Sequence, residues 1–394
     1  MRSVIDTCHR KTKTPGVSRF SGLSMRGLSL IELLIAMVMG LTLTAGVIQV
    51  YVGNTQTERD QEARARMQEN GRFAISYLAH ELRMAGYLGC LASIEETDIN
   101  NTLDGPPASF QPTSGIQGWE AVGTGLGQAS AAQNDVAVVS TSGGGWVSSG
   151  GNIIDATDAV PGSDIVRIWN AAGTGATINS ISPGGAMTVV NSGIVDIDDG
   201  DILLLSDCER ADWVQACNVQ DIGGGASINS VLSAGCVPGN ITSMPLGTQS
   251  GGELVKLQGT MFYVGKRGNV ASNPPALFRR QLNQTAGAGT PEELVEGVES
   301  LQILYGVNTD NDNMKSVDAY LTANQVPDWG QVISVRISLL VQSIEDNLLP
   351  AAAPYTFHGV TYDGAAGNGA LPADTRLRRV FTSTVTLRNR AVGN

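Results

Sequence analysis

Histidine is scarce in this chain, with only His9, His80 and His358 in 394 residues. So few imidazoles leave little for metal ligation or acid–base catalysis. Aromatics are thin as well, at 5 Trp, 8 Tyr and 7 Phe. Basic residues are outnumbered 25 to 37 by acidic ones, which gives a formal net charge of −12 and a pI of about 4.7. A surface of that sign argues against nucleic-acid binding. Charged residues make up 16% and hydrophobic ones 42%, so a large core can form and wholesale disorder is not expected. Glycine is abundant, at 48 residues beside 15 Pro. That composition fits a loop-heavy, mostly β body. A length above roughly 250–300 residues implies more than one lobe or an added non-globular part.

The charge is unevenly placed. Arg2, Arg10, Lys11, Lys13, Arg19 and Arg26 precede residue 28 with one acid, Asp6, so the rest of the chain carries a net −17. An apolar run of 25 residues follows, Leu28 to Val52, LSLIELLIAMVMGLTLTAGVIQVYV. About 20 suffice to cross a hydrocarbon core. Basic residues before the run and acidic ones after it predict a single-pass protein, with its N-terminus cytoplasmic and its body outside. An ordinary secretory signal has a shorter apolar stretch, about 7–15 residues, ending at a small-residue cleavage site. A lipoprotein signal at Leu88-Gly89-Cys90 would lie far beyond the run, after a highly charged segment.

Glu32 stands inside this run. A carboxylate at membrane depth costs on the order of a few kcal/mol, so such residues usually have a partner and a task. No Lys or Arg occurs from Leu28 to Glu58. A cut after Gly27 would place the new α-amino group of Leu28 about one helical turn away, to pair with Glu32 of the same or a neighbouring subunit. The plainer alternative keeps Glu32 solvated at headgroup level.

The segment Arg26-Gly27-Leu28-Ser29-Leu30-Ile31-Glu32-Leu33 resembles the class III signal of type IV pilins and pseudopilins. The resemblance implies that a prepilin peptidase cuts after Gly27, that Leu28 becomes an N-methylated N-terminus, and that Glu32 guides assembly and sets axial register. Leu28 stands where Phe or Met is more usual. Further on, FYVGKRGNVASNPPALFRR, ELVEGVESLQILYGVNTD, VPDWGQVISVRISLLVQS and FTSTVTLRNR succeed one another across about residues 254–390. They resemble the C-terminal half of the PilW family of minor pilins.

After the apolar run, Ala63, Met67, Ala74, Leu78, Leu82 and Ala85 recur mostly three or four apart, which is helical spacing. Residues 28–86 are therefore expected to form one helix, roughly 88 Å long at 1.5 Å per residue. Gly53 and Gly71 are the expected places for a bend or local melting. His80 reads as a surface or cap residue. Beyond Cys90, short β-prone runs alternate with Gly/Ser/Asn/Pro turns: 134–140, 164–169, 186–190 and 201–206, with loops at 141–162 and 222–252. A second series at 254–264, 276–280, 298–307, 332–342 and 379–387 is expected to form the main antiparallel sheet. The fold class is α+β: a long N-terminal helix packed on an antiparallel β-rich body, pilin-like. Five segments are expected: a leader at 1–27, an assembly helix at 28–52 and an amphipathic stem at 53–89. A Gly/Ser-rich β lobe at 90–253 and a PilW-like sheet region at 254–394 complete the chain.

Of the five cysteines, Cys8 would leave with the leader. Cys90, Cys208, Cys217 and Cys236 remain as an even set that suits an oxidising periplasm. Of three pairings, Cys208 with Cys217 and Cys90 with Cys236 is preferred, since the first closes a ten-residue segment. A four-Cys zinc site lacks any CxxC pair, so no metal is expected. No catalytic residue or cofactor is expected either. His358 has no GxSxG-type motif near it. Gly123-Thr-Gly125-Leu-Gly127 neither follows a clear strand nor opens a helix, so it does not read as a phosphate loop. The cluster Asn308-Thr309-Asp310-Asn311-Asp312 near Asp318 departs from a calcium loop at Asn313 and Ala319, and reads better as a solvated turn.

The functional expectation is a minor pilin, with no enzymatic role. It would be held in the inner membrane before assembly, then carried into a pilus at few copies near the tip. Its implied partners are the prepilin peptidase, other minor pilins, the major pilin and a tip adhesin, with no nucleic acid. One alternative is a minor pseudopilin of a type II secretion system, which shares the N-terminal logic. A membrane-anchored surface-binding module built on residues 95–250 is the alternative of another class, and a membrane-anchored hydrolase using His358 is the remotest.

Overall fold

The computed structural model describes residues 29–90, 99–104, 115–121, 123–128, 138–139, 147–148, 151–152, 159–181, 186–190, 197–221, 225–229, 239–240, 251–270, 272–282, 289–310 and 316–391. The chain divides into two units, Met1–Thr57 and Glu58–Asn394.

One helix, α1 (Leu30–Met84), spans 55 residues without interruption. It contains no proline, and its two predicted weak points, Gly53 and Gly71, are both helical. In the first unit, Thr42, Thr44, Thr55 and Thr57 each return their hydroxyl to a carbonyl three or four residues back. That satisfies these hydroxyls within an otherwise apolar helix surface. The large apolar side chains between Leu30 and Val52 are all exposed.

The second unit adds strands β1 (Ile99–Asn101), β2 (Ile116–Ala121), β3 (Val138–Val139), β4 (Val147–Ser148) and β5 (Gly151–Asn152). The long β6 (Ile165–Ile181) precedes β7 (Ala186–Val190), β8 (Ile202–Ser206), β9 (Ala211–Gln215), β10 (Cys217–Asp221) and β11 (Gly225–Asn229). Then come β12 (Glu253–Lys266), β13 (Pro275–Leu282), β14 (Glu292–Glu296), β15 (Val298–Val307), β16 (Ala319–Leu321) and β17 (Val332–Gln342). The last are β18 (Tyr355–Phe357), β19 (Val360–Tyr362) and β20 (Arg378–Thr386), before the short α2 (Arg388–Ala391).

Two sheets dominate. The larger has twelve strands among the described residues, with a central path β1-β9-β8-β12-β6-β7-β11-β10 and β2, β3, β13 and β14 attached to it. The smaller runs β16-β15-β17-β20. Pairing is antiparallel apart from β1 against β9. The helix with its antiparallel β-rich body is the expected α+β architecture. The expected main sheet is divided, however: β12 and β13 belong to the larger sheet, while β15, β17 and β20 form the smaller. Position 253/254 falls at the start of β12, whose partners β6, β8 and β13 lie on both sides of it in sequence. The Gly/Ser-rich stretch 222–252 also contains β11, which extends the sheet by pairing with β7 and β10.

Alternation along β6 and β12 explains why both faces of the larger sheet are covered. Val166, Ile168, Phe262 and Val264 join a core shared with Met67, Ala74, Leu78 and Leu82 of α1 and with the smaller sheet. Ile165, Trp169, Met261 and Tyr263 point into a second core with Leu88, Trp119 and Trp213. The stem of α1 thus lies in the main core, and the helical stripe read from the sequence is its buried face.

Candidate functional site

The predicted cleavage residues Gly27 and Leu28 lie outside the described residues. Glu32 sits in the first turn of α1, where Leu33 N donates to Ser29 O at 3.1 Å. A helix N-terminus favours an acid because the first N–H groups are unpaired and the macrodipole is positive there. Glu32 is exposed among Leu30, Ile31, Leu33, Leu34 and Ile35, which are also exposed. This end of the helix therefore offers a carboxylate on an apolar surface. α1 is long and apolar enough to cross a membrane.

Further along, the stem is fixed to the body by specific contacts. The exposed side carries i,i+4 pairs, Arg64 to Asp60 at 2.9 Å and Arg66 to Glu62 at 2.5 Å. On the inner side Asn70 Nδ2 donates to Glu296 O at 3.0 Å. Arg279 donates to the Tyr77 hydroxyl at 2.5 Å and pairs with Glu292 at 2.7 Å. Burial pushes the Tyr77 phenol up, with Glu81 adding to the shift. At Gly71 the helix meets β20 so closely that a Cβ would overlap the Phe381 ring. The sequence marked Gly71 as a bend; here it is a packing contact. Gly86, at φ 73°, ends the helix, its N–H donating to Trp169 O at 2.8 Å. Asn389 Nδ2 caps the Ala85 carbonyl at 3.2 Å. His80 is exposed, as expected of a surface residue.

The preferred disulfide pairing is corrected by the structure, which joins Cys90 to Cys208 with their Cα atoms 5.1 Å apart. Cys208 lies in the turn of the β8–β9 hairpin, while Cys217 follows the far end of β9. The five-residue β9 between them spans about 17 Å at 3.4 Å per residue, well beyond the roughly 7 Å a disulfide tolerates. A short separation in sequence was misleading because the intervening residues are extended. Cys217 is itself disulfide-bonded, and Cys236 lies outside the described residues. The bond at Cys90 removes the free thiol that a lipoprotein reading would need.

The other chemistry flagged by the sequence is differently occupied. Asp318 accepts from the backbone N–H of Thr309 at 2.6 Å and of Asp310 at 3.3 Å, which hold its carboxyl below the usual range. Asn311, Asp312 and Asn313 lie outside the described residues, and no group of three or more metal-ligating side chains occurs among the described ones. His358 is held at φ 49° in the turn between β18 and β19. Its Nε2 is buried without a hydrogen-bond partner among the described residues, none of which places a hydroxyl nucleophile on that nitrogen. Burial lowers its pKa to about 4. Residues 123–128 form turns and open no helix.

Sequence reasoning missed a buried group where the two sheets meet. Glu120 on β2, Asp164 just before β6 and Tyr305 on β15 are 3%, 2% and 1% exposed. Asp164 accepts from Ala121 N at 2.9 Å and from Ile303 N at 2.8 Å. Among the described residues, neither oxygen of Glu120 nor the Tyr305 hydroxyl has a hydrogen bond of good geometry, although the Ala323 backbone and the Thr124 side chain lie close to Glu120. Tyr305 fits because Gly118 opposite has no side chain: a Cβ there would overlap the phenol. No local motif announces this arrangement, since it joins three segments distant in sequence.

Residues 261–389 match the family model described as type IV pilus-assembly protein W. The matched stretch includes the last part of β12, from Met261 to Lys266, and all of β13 to β20. Among solved structures, a type IV-like pilin from Thermus thermophilus is 16% identical over 50% of this chain and 87% of its own, with a TM-score of 0.20. A superposition at that level carries no structural argument. No curated protein matches significantly.

Proposed function

We propose that this chain is a minor pilin of a type IV pilus, a structural and assembly subunit with no catalytic role. The observation that carries the reading is a conjunction. The Arg26-Gly27-Leu28-Ser29 signal and Glu32 open an exposed apolar helix, and the same chain matches the pilus-assembly family over residues 261–389. In this reading residues 1–27 are a leader on the cytoplasmic side, removed by a prepilin peptidase after Gly27, and Leu28 is then N-methylated. The segment 28–52 anchors the subunit in the inner membrane with its body in the periplasm, then enters the helical bundle of the filament. Glu32 pairs there with the α-amino group of a neighbour, offsetting the cost of burying its charge.

The stem at 53–89 would carry that bundle into the body, and the large β-rich body favours few copies near the tip. Other minor pilins, the major pilin and an adhesin are the partners this position implies, with twitching motility or adhesion as the cellular outcome. The pseudopilin of a type II secretion system shares the N-terminal signal; the family match favours the pilus.

The test is the N-terminal mass of the membrane-extracted protein, made with and without prepilin peptidase. A methylated Leu28 terminus seen only with the peptidase supports the pilin class, and an uncut chain sinks it. Deletion that abolishes secretion and leaves twitching intact would move the assignment to the pseudopilus.

A further inference from the structure

The seam between the two sheets is built around Asp164. Its N–H donates to Leu301 O at 2.8 Å, and its carboxylate accepts from Ala121 N of β2 and Ile303 N of β15. Ser163 adds a bond from Leu301 N to its hydroxyl at 3.1 Å. Asp164 therefore ties β2 of the larger sheet to β15 of the smaller through one carboxyl group, with an N–H on each oxygen. Two N–H donors are the partners an ionised carboxylate requires. Among the described residues neither oxygen of Glu120 has a hydrogen bond of good geometry: the Thr124 hydroxyl beside it donates to Ala121 O at 2.8 Å, and the nearby Ala323 N–H and Thr124 hydroxyl offset less than burial adds.

We infer that one buried proton, resident on Glu120 while Asp164 carries the negative charge, holds this sheet-to-sheet seam closed and makes the body's stability pH-dependent. The inference stands whether or not the chain is a pilin.

Among the described residues, the groups facing Glu120 include no means of neutralising it other than a proton. Asp164 approaches from the residue before β6 and Tyr305 from β15, while the Thr124 hydroxyl and the Ala323 backbone offer Glu120 weaker hydrogen-bond contacts from the adjoining connections. None of these is a cation. Arg167, the nearest basic residue along β6, belongs to the opposite face, bonded to Gln117 and stacked at 5.2 Å over Trp119 and 5.9 Å over Trp169. Two carboxylates buried side by side in low dielectric cannot both ionise cheaply. Burial, and then Asp164, push the Glu120 carboxyl up; burial also raises Asp164, but its two N–H donors oppose that.

The sign follows from linkage. An acid whose folded pKa is raised binds its proton more tightly when folded, so its stabilising contribution is full below the unfolded pKa. It is lost as pH rises towards the folded value. For Glu120 that window runs from about 4.5 to about 9.

The experiment is thermal unfolding of the full chain in detergent, at fixed scan rate, from pH 5 to pH 9. Glu120→Gln is a steric copy of the protonated acid. Its Tm should exceed that of the unmodified chain by a margin that widens with pH, equivalent to at most a tenfold change in folding constant per pH unit. Parallel profiles would overturn the proposal. Asp164→Asn should be less stable at every pH, because its NH₂ must face one of two N–H donors; unchanged stability would overturn the charge assignment. If Glu120→Gln does not fold, infrared spectroscopy of the unmodified chain at pH 7 decides. A buried protonated-carboxyl C=O band supports the proposal, and its absence defeats it.

Discussion

Gly71 lies mid-helix, where glycine ordinarily costs about 1 kcal/mol relative to alanine. By propensity alone Gly71→Ala should stabilise the stem. The Phe381 ring occupies the space its Cβ needs, and overpacking of a fixed core costs typically 1–3 kcal/mol. Gly71→Ala should therefore lower stability by about 1–2 kcal/mol net in chemical denaturation. In a Phe381→Ala background the same change should cost far less, and equal costs in both would remove packing as the reason. The sequence showed the glycine but not its neighbour, because Phe381 lies in the last strand and nothing local couples the two. His358 makes a second residue-level case. Burial lowers its pKa to about 4, so its neutral ring stabilises fully above the unfolded value near 6.5 and loses that contribution as pH falls to 4. Since its ring is partly exposed, the loss should be about 2 kcal/mol at most. His358→Asn, which tolerates the positive φ, should flatten the acid limb of a melting profile between pH 6.5 and 4. An unchanged acid limb would assign that limb to other groups.

At the scale of elements, the Cys90–Cys208 bond joins the segment just after α1 to the β8–β9 hairpin across 118 residues of sequence. Closing so long a loop restricts the unfolded chain strongly, and loss of such a native bond costs about 2–5 kcal/mol. Paired Cys90→Ser and Cys208→Ser substitutions should lower stability by that amount. Peptide mapping of the oxidised protein should recover Cys90 with Cys208 and leave Cys217 with Cys236; a Cys208–Cys217 peptide would contradict the fold of the hairpin. Much of the element list was readable in advance. Three strands, 186–190, 298–307 and 332–342, fall where β-prone runs between turn residues placed them, and the stem's buried face follows its 3.6-residue period. Pairing between elements was less legible. β12 stands in the larger sheet and β15 in the smaller although both alternate well, because alternation gives a strand two faces and says nothing of its neighbours. The disulfide and the Glu120–Asp164 seam were hidden for the same reason. The N-terminal reading is of another kind, since Gly27, Leu28 and Glu32 lie within six residues of one another and it calls for no knowledge of pairing; the N-terminal mass is its test.

For the molecule as a whole, the division at Thr57/Glu58 separates two requirements on one sequence. The large side chains of the first unit between Leu30 and Val52 are exposed among the described residues, which is what the proposed entry into a membrane or a bundle of like helices requires. The second unit has its own cores, and the first fully buried residue of α1 is Met67. Residues 58–66 hold two i,i+4 ion pairs, Asp60–Arg64 and Glu62–Arg66, that favour helix without the preceding segment. Glu58 at a new N-terminus would also suit the helix dipole. A chain beginning at Glu58 should therefore fold, remain monodisperse without detergent, and melt within a few degrees of the full chain. The full chain should need detergent, since contiguous exposed apolar surface of that extent drives association. Aggregation of the shortened chain, or loss of its cooperative transition, would mean that the body depends on the apolar helix for its fold. Retention of both properties would leave that helix free to serve membrane anchoring and assembly alone.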